Sequence, residues 1–544
     1  MSPSRRDILR LTGGVVLASI GGGVLTACSR RRADLVIRGG TVVDGTGAAG
    51  FEADVVVNAG RISRVAPRAS EVGDDEIDAR GMIVAPGFID IHSHADGSLW
   101  DDPRMESVIR QGITTVVVGA DGSSRAPSSG DRFNTFSEYF AAVDEAKPSV
   151  NVASMIGLGS VRSRVVGPDD RPATEEELRQ MVALVEQALR DGACGASTGL
   201  EYTPGAFASL EELIELSRPL VSYRLPYASH MRNEDDRLLE AIGEAIAVAE
   251  GAGCSLQISH LKTQGPRNWA SLDDAFALVE GANARGVDAA FDRYPYIAYQ
   301  TGLTNLFPVS SRDGGTARFL ERLDHPTQSR AIRAAVLDKV ALIGGWGNVQ
   351  IARVRNEDDK VAEGQRMDAY AQSVSRDPYV ATVELLKRNG GSVGMLGFAM
   401  SEENLDRILA HPKGMVCSDG GAFAVEGPAR SGQPHPRGLG SFPRVLARYV
   451  RERGALTLES AVHKMSAYPA SRVRLGDRGR LAEGLAADVV VFDADTVADQ
   501  ATFDDPFAYP TGISTVVVNG SVAVRDGEHT VGIPGAGKAV RPSD

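Results

Sequence analysis

The feature that most limits what this chain can become is an alternation that begins near residue 86. Apolar runs of strand length recur at Gly112-Ile113-Thr114-Thr115-Val116-Val117-Val118, Gly195-Ala196-Ser197-Thr198, Leu225-Pro226-Tyr227-Ala228-Ser229-His230 and Ser255-Leu256-Gln257-Ile258-Ser259-His260. Helical patterns fall between them, one near 175–191 and another running through Ala252. Strands separated by a helix run parallel, so the expected fold class is α/β, a TIM-like (β/α)8 barrel over residues 86–474. The chain ends have another texture. Leu35-Val36-Ile37-Arg38, Thr41-Val42-Val43-Asp44, Ala53–Val57 and Arg61–Val65 are short β-rich runs cut by Gly turns, and Ala487–Asp493 and Ser514–Gly520 repeat that character. Residues 34–85 and 475–544 are therefore predicted to fold together as one small β-sandwich. The interval 304–376 is richer in charge and longer than one β/α unit needs, and it reads as an insertion within the barrel.

Of 544 residues, 43% are hydrophobic and 24% charged, which suits a folded chain with one large and one smaller core. A formal net charge of −13, with no stripe of Lys and Arg, argues against a nucleic-acid partner. An anionic substrate would need locally placed cations. The four cysteines lie far apart without a CxxC spacing, so neither a disulfide framework nor a cysteine-rich zinc module is expected.

The first residues read as an address. Arg5-Arg6 within Ser4-Arg5-Arg6-Asp7-Ile8-Leu9 resembles a twin-arginine export signal. The apolar run Leu11–Leu25 is too short and glycine-rich to span a membrane well, and Leu25-Thr26-Ala27-Cys28 resembles a lipoprotein cleavage box. The expectation is a signal peptide over 1–28, lipidation of Cys28, a linker over 29–33, and an exported protein held on a membrane by the lipid, facing the periplasm or cell exterior.

Four of the nine histidines end predicted strands: His92 and His94 in Ile89-Asp90-Ile91-His92-Ser93-His94, then His230 and His260. In a barrel these ends converge on one mouth, and alternate strand residues share a face, so His92 and His94 can meet one ion with His230 and His260. Asp419, ending Met415-Val416-Cys417-Ser418-Asp419, adds a carboxylate. His325, His411, His463 and His529 lack this setting and read as surface or turn residues.

Pro86-Gly87-Phe88-Ile89-Asp90-Ile91-His92-Ser93-His94, with the later histidines and Ser418-Asp419, resembles the metal-dependent amidohydrolase superfamily. Gly112–Gly119, Ser197-Thr198-Gly199-Leu200-Glu201-Tyr202, Ser259-His260-Leu261-Lys262, Asp292-Arg293-Tyr294-Pro295-Tyr296 and Pro434-His435-Pro436-Arg437 narrow the resemblance to N-acyl-D-amino-acid deacylases (D-aminoacylases), from about residue 34 onward. The resemblance implies one or two zinc ions, or another divalent metal. His230 and His260 would hold the tight position, and His92, His94 and Asp419 would hold or approach a second. Where that family usually carries a cysteine, this chain has Asp121, which can still ligate or bridge.

The implied chemistry is hydrolysis of an N-acyl amino acid, with Asp419 as general base and then acid. Lys262 and Arg437 would hold the substrate carboxylate, completed on the family's pattern by Tyr202 and Tyr294. Arg232 and Glu234 read as supporting residues. A cyclic-amide hydrolase of dihydroorotase or hydantoinase type, a D-residue dipeptidase and a surface lipoprotein that only binds acyl amino acids are the alternatives.

Overall fold

A computed structural model describes residues 31–128, 130, 132–530 and 534–543. The expected signal peptide over 1–28, with Cys28, lies outside them. Eight strands form the barrel: β1 (Phe88–Asp90), β2 (Ile113–Val118), β3 (Asn151–Ser154, carried on by Ile156–Gly157), β4 (Ala196–Gly199), β5 (Pro226–His230), β6 (Ser255–Ile258), β7 (Ala289–Arg293) and β8 (Gly414–Val416). Each pairs in parallel with the next. The ring closes where β8 returns to β1. There Asp419 N donates to His92 O at 2.8 Å and His94 N to Gly420 O at 2.9 Å. The Asp90 carboxylate completes the seam by accepting Ser418 N at 2.8 Å and the Ser418 hydroxyl.

Local sequence explains the helices that make strand neighbours parallel. Glu175–Asp191 starts at a capping box of Thr174 and Glu177 and stops at Gly192, whose φ of 108° suits glycine, while Met181, Val185, Ala188 and Leu189 face inward. Cys194 and Cys417 are buried and Cys254 half-buried, all as free thiols.

Both chain ends share one nine-stranded sheet, with five strands from 32–86 and four from 489–529. Its seam is the antiparallel pairing of Val489–Phe492 with Ile83–Pro86. Alternate valines such as Val55, Val57, Val489 and Val491 close a small core beneath it. The two runs expected at 35–38 and 41–44 are one strand, Arg32–Val42, whose register shifts between Ile37 and Gly40. Arg32 and Ala33, expected in the linker, already pair with Val72 and Gly73.

The insertion is broader than 304–376. Ala298–Gly302 and Val349–Arg353 pair antiparallel on either side of Gly394–Phe398, and these strands bond to one another rather than to the barrel. Helices Gln328–Leu342 and Pro378–Arg388 cover them, with Ile332, Val336, Ile351, Leu385 and Met395 in their shared core. This inserted module therefore leaves the barrel just after β7, and α-helix Glu402–Ala410 leads back to β8.

Candidate metal centre

All six expected ligands reach one mouth of the barrel. His230 ends β5, whereas His92, His94, Asp121, His260 and Asp419 sit just beyond their strands. β1 stops at Asp90, yet its ladder is carried on by Ser93 N to Val117 O at 3.0 Å and by the two bonds of the closing seam, so His92 and His94 keep the alternate placement of a strand. Asp121, His260 and Asp419 have φ of 50°, 37° and 51°. Non-glycine residues in the left-handed region cost on the order of 1–3 kcal/mol each and cluster at functional sites. Here the turn swings each side chain from the strand axis toward the centre. Beside Asp121 the backbones nearly touch: a Cβ on Gly122 would lie 2.6 Å from Gly199 N, and one on Gly199 would lie 2.2 Å from Asp121 O.

Asp121 is the hub. Its carboxylate lies 3.4 Å from His92 Nε2, 3.5 Å from both His94 Nε2 and His260 Nε2, and 3.7 Å from His230 Nδ1. Asp419 Oδ1 faces the same point, 3.5 Å from His92 Nε2 and 3.1 Å from His94 Nε2. His230 Nδ1 and His260 Nε2 are 3.0 Å apart. His92, Asp121, His260 and Asp419 each offer a ligand atom within 4.8 Å of the others. His230, Glu234 and His260 make a second such group. Its Glu234, however, meets His260 at Nδ1, the ring nitrogen facing away from Asp121. Three of the ring nitrogens pointing away from the centre have carboxylates of their own. His92 Nδ1 lies 3.3 Å from Asp292, His260 Nδ1 3.0 Å from Glu234 and His230 Nε2 3.4 Å from Glu201. A carboxylate lies behind each of these three imidazoles, the usual arrangement behind metal-binding histidines, and at His260 Nδ1 the Lys262 ammonium stands 2.7 Å away as well.

Two inner atoms, His92 Nε2 and Asp121 Oδ1, are buried without a hydrogen-bond partner. Buried polar atoms are rarely left so, and an inward imidazole nitrogen and carboxylate oxygen facing each other fit a divalent cation. The field agrees. Burial works against charge on His92, but Asp121, Asp419 and Asp292 outweigh it and raise its pKa well above the ordinary value. Against the same penalty, Asp121 and Asp419 lift His94 to about 9, and Glu234 with Asp121 and Glu201 lift His230 to about 10. Burial alone would raise the Asp121 pKa, yet the histidines pull it well below the carboxylate range. A site this anionic holds protons on its rings until a cation replaces them.

The cavity over this centre, about 800 Å³, is lined by all four expected substrate residues. Arg437 is buried, with NH1 2.6 Å from Asp419 Oδ2, its guanidinium over the Tyr294 ring at 4.6 Å and Nε unpartnered. The Tyr294 hydroxyl is buried and unpartnered too. Tyr202 packs its ring 4.7 Å from that of His230 and its hydroxyl lies 3.1 Å from Thr301 Oγ1. Lys262 is not an unengaged cation: Nζ donates to Glu234 Oε1 at 2.5 Å, so much of its charge is already matched. Arg232 is tied to Glu244 and to the carbonyls of Ala206 and Ala208.

Sequence reasoning passed over Asp292, Glu201, Asp90 and His435, and it read Glu234 only as supporting. Asp292 sits in the Asp-Arg-Tyr-Pro-Tyr motif, where only the tyrosine was singled out. His435 accepts Arg437 N at Nδ1 (3.0 Å) and donates Nε2 to Ala298 O (3.0 Å). Burial and the Arg437 charge keep its imidazole pKa well below the ordinary value. Of the histidines set aside, His411 stacks on Phe276 and pairs with Glu280, and His463 and His529 bond to Gly45 O and Ser149 Oγ, all away from the cavity.

An amidohydrolase family model matches residues 75–225 and 429–524. Across 506 residues the chain is 38% identical to an N-acyl-D-glutamate deacylase of Alcaligenes xylosoxydans xylosoxydans, covering 90% of this chain and 93% of that protein. The chain belongs to the N-acyl-D-amino-acid deacylase family of amidohydrolases. A crystal structure of the Bordetella bronchiseptica N-acyl-D-glutamate deacylase, with zinc and a phosphonate that mimics the tetrahedral intermediate, matches with a TM-score of 0.80 at 34% identity, over 94% of this chain and 100% of that one. A D-aminoacylase structure described for its binuclear metal centre matches at 0.79 and 34%, with the same coverage. This deacylase-family chain thus carries the family's barrel with its terminal β-sandwich.

Proposed function

We propose that the chain hydrolyses the amide bond of N-acyl-D-amino acids, giving a carboxylic acid and a free amino acid, with zinc held at the centre just described. The observation that carries this reading is the buried, unpartnered pair His92 Nε2 and Asp121 Oδ1, ringed by His94, His230, His260 and Asp419. Zinc held there by these residues would supply an acidified water and a Lewis acid for the scissile carbonyl.

The rest falls to the chain's own groups. Asp419 presents Oδ1 to the centre while Arg437 holds Oδ2, an orientation suited to taking a proton from the attacking water and passing it to the departing nitrogen. Arg437 and Tyr294 line the same space, and Arg437 Nε and the Tyr294 hydroxyl are buried without a partner, which suits the two residues to the substrate carboxylate. Lys262, already paired with Glu234, adds charge from the wall, and Tyr202 closes the side near His230.

The test is turnover of N-acetyl-D-glutamate, -D-aspartate and -D-leucine, their L-forms, hydantoin and dihydroorotate, before and after chelation and zinc return. The expected result is zinc-restored cleavage of the D-acyl substrates. Full activity without metal, or ring opening alone, overturns the proposal.

Residues 1–28 are proposed to act as a twin-arginine lipoprotein signal that leaves Cys28 lipidated and the enzyme outside the cytoplasm. The order of the paired arginines, apolar run and cysteine box supports this. Labelling with a fatty-acid analogue should mark the protein and not its Cys28→Ser variant; equal labelling overturns it.

A further inference from the structure

Beyond the barrel's own ligands, one wall of the centre is held from outside the barrel. The two residues behind His230 are Glu201 and Tyr202, on the turn after β4. Glu201 Oε2 lies 3.4 Å from His230 Nε2, and the Tyr202 ring stands 4.7 Å from the imidazole. Each is fixed by a side chain of the inserted module. Asn305 Nδ2 donates to Glu201 Oε2 at 2.9 Å, Arg312 donates to Glu201 O at 2.9 Å, and Thr301 Oγ1 meets the Tyr202 hydroxyl at 3.1 Å. The corresponding partners of His92 and His260 are fixed within the barrel: Asp292 accepts Gln257 Nε2 and His260 N, and Glu234 accepts Lys262 and Gln264.

We propose that Glu201 and Asn305 are positioning residues that make metal retention at His230 depend on the seating of the inserted module. Asn305 holds one carboxylate oxygen of Glu201, Glu201 receives the Nε2 proton of His230, and Nδ1 is thereby kept as the lone-pair donor toward Asp121 and His260. A shift of the module away from the β4 turn relaxes this chain of contacts, whereas His92 and Asp292 are held by bonds within the barrel. The proposal rests on the centre binding a divalent metal, as in the function proposed above.

The experiment compares the full-length protein with Glu201→Gln, Asn305→Leu and, as a control on the exposed face of the module, Val361→Ala. Zinc affinity is read by chelator competition, kcat and KM by hydrolysis of an N-acyl-D-amino acid, and folding by circular dichroism. Glu201→Gln is expected to weaken zinc binding about 10–100-fold, the usual cost of removing such a partner. Asn305→Leu, which keeps the volume and loses the donor, is expected to weaken it by a smaller factor. In both, kcat at saturating zinc should change less than zinc affinity, and Val361→Ala should match the parent. If Glu201→Gln does not fold, Asn305→Leu decides alone. Parent-like zinc affinity in folded Asn305→Leu overturns the coupling, as does an equal loss in Val361→Ala. A parent protein that binds no zinc would instead remove the metal reading itself.

Discussion

The two walls of the centre are built differently. On the β1–β8 side, His92 and His94 face Asp419 across the seam that closes the barrel, and the same hydrogen bonds close the ring and aim the ligands. Asp292 and Arg437 stand behind them, both buried. On the β4–β5 side, His230 leans on Glu201 and Tyr202, whose fixed ends belong to a module with its own sheet and core. A perturbation of the first wall strains the fold and the chemistry together. On the proposal above, the second would loosen with a shift of that module.

The sharpest division should come from Asp419→Asn. It keeps the shape of the seam but removes the carboxylate that faces the centre, and kcat should fall by about 10²–10⁴. Zinc content measured alongside separates loss of the proton acceptor from loss of a ligand; near-parent turnover would remove Asp419 from catalysis. Next in size is Asp292→Asn, expected to weaken zinc binding by about 10–100-fold, as Glu201→Gln does. The walls differ in what else follows. Asp292→Asn also loses a charged acceptor for His260 N and Gln257 inside the barrel and should lower the unfolding midpoint of the metal-free protein by more than Glu201→Gln, which weakens the single Asn305 bond to the module. Equal midpoints would erase the distinction. A smaller effect is expected for Arg437→Lys, which keeps a charge near Asp419 but loses the planar fork. KM for N-acyl-D-amino acids should rise several-fold while that for the matching carboxamides stays put. An unchanged preference would take Arg437 out of substrate recognition.

The cluster at the barrel mouth was legible because a barrel sends strand ends to one place, and strand ends announce themselves as apolar runs stopped by His or Asp. Hence His92, His94, His230, His260 and Asp419 could be assembled from text alone, and the valine-rich ends could be joined into one small β-domain. Family resemblance was needed for Asp121, since an Asp-Gly pair reads equally as a turn. What stayed hidden depends on contacts between distant segments. Nothing near Glu201 in sequence shows that Asn305 lies beside it. Lys262 read as available for substrate because Glu234, 28 residues earlier, gives no sign of meeting it. The module's limits were missed for a like reason. Nothing in the text of Ala298–Gly302 shows that its partner is Gly394–Phe398, running the opposite way.

The smallest expected effect concerns protons. With the metal removed, His94 and His230 hold theirs up to about 9 and about 10, above the ordinary imidazole value near 6.5. A raised pKa stabilises the folded state fully below the unfolded value and loses that stabilisation as pH climbs through the folded one. The metal-free protein should therefore melt at falling temperatures from about pH 7 to 10, while apparent zinc affinity rises over the same interval because each ring must shed a proton to bind. The zinc-loaded protein should show a flatter profile, since the cation then occupies the place of those protons. The walls should also contribute unequally: the His94 side chain is 40% exposed and His230 only 5%, so His94→Gln should flatten the metal-free profile less than His230→Gln. Equal flattening would mean that the two imidazoles feel the carboxylates through the same medium, and that the inserted module does little to shield its wall from water.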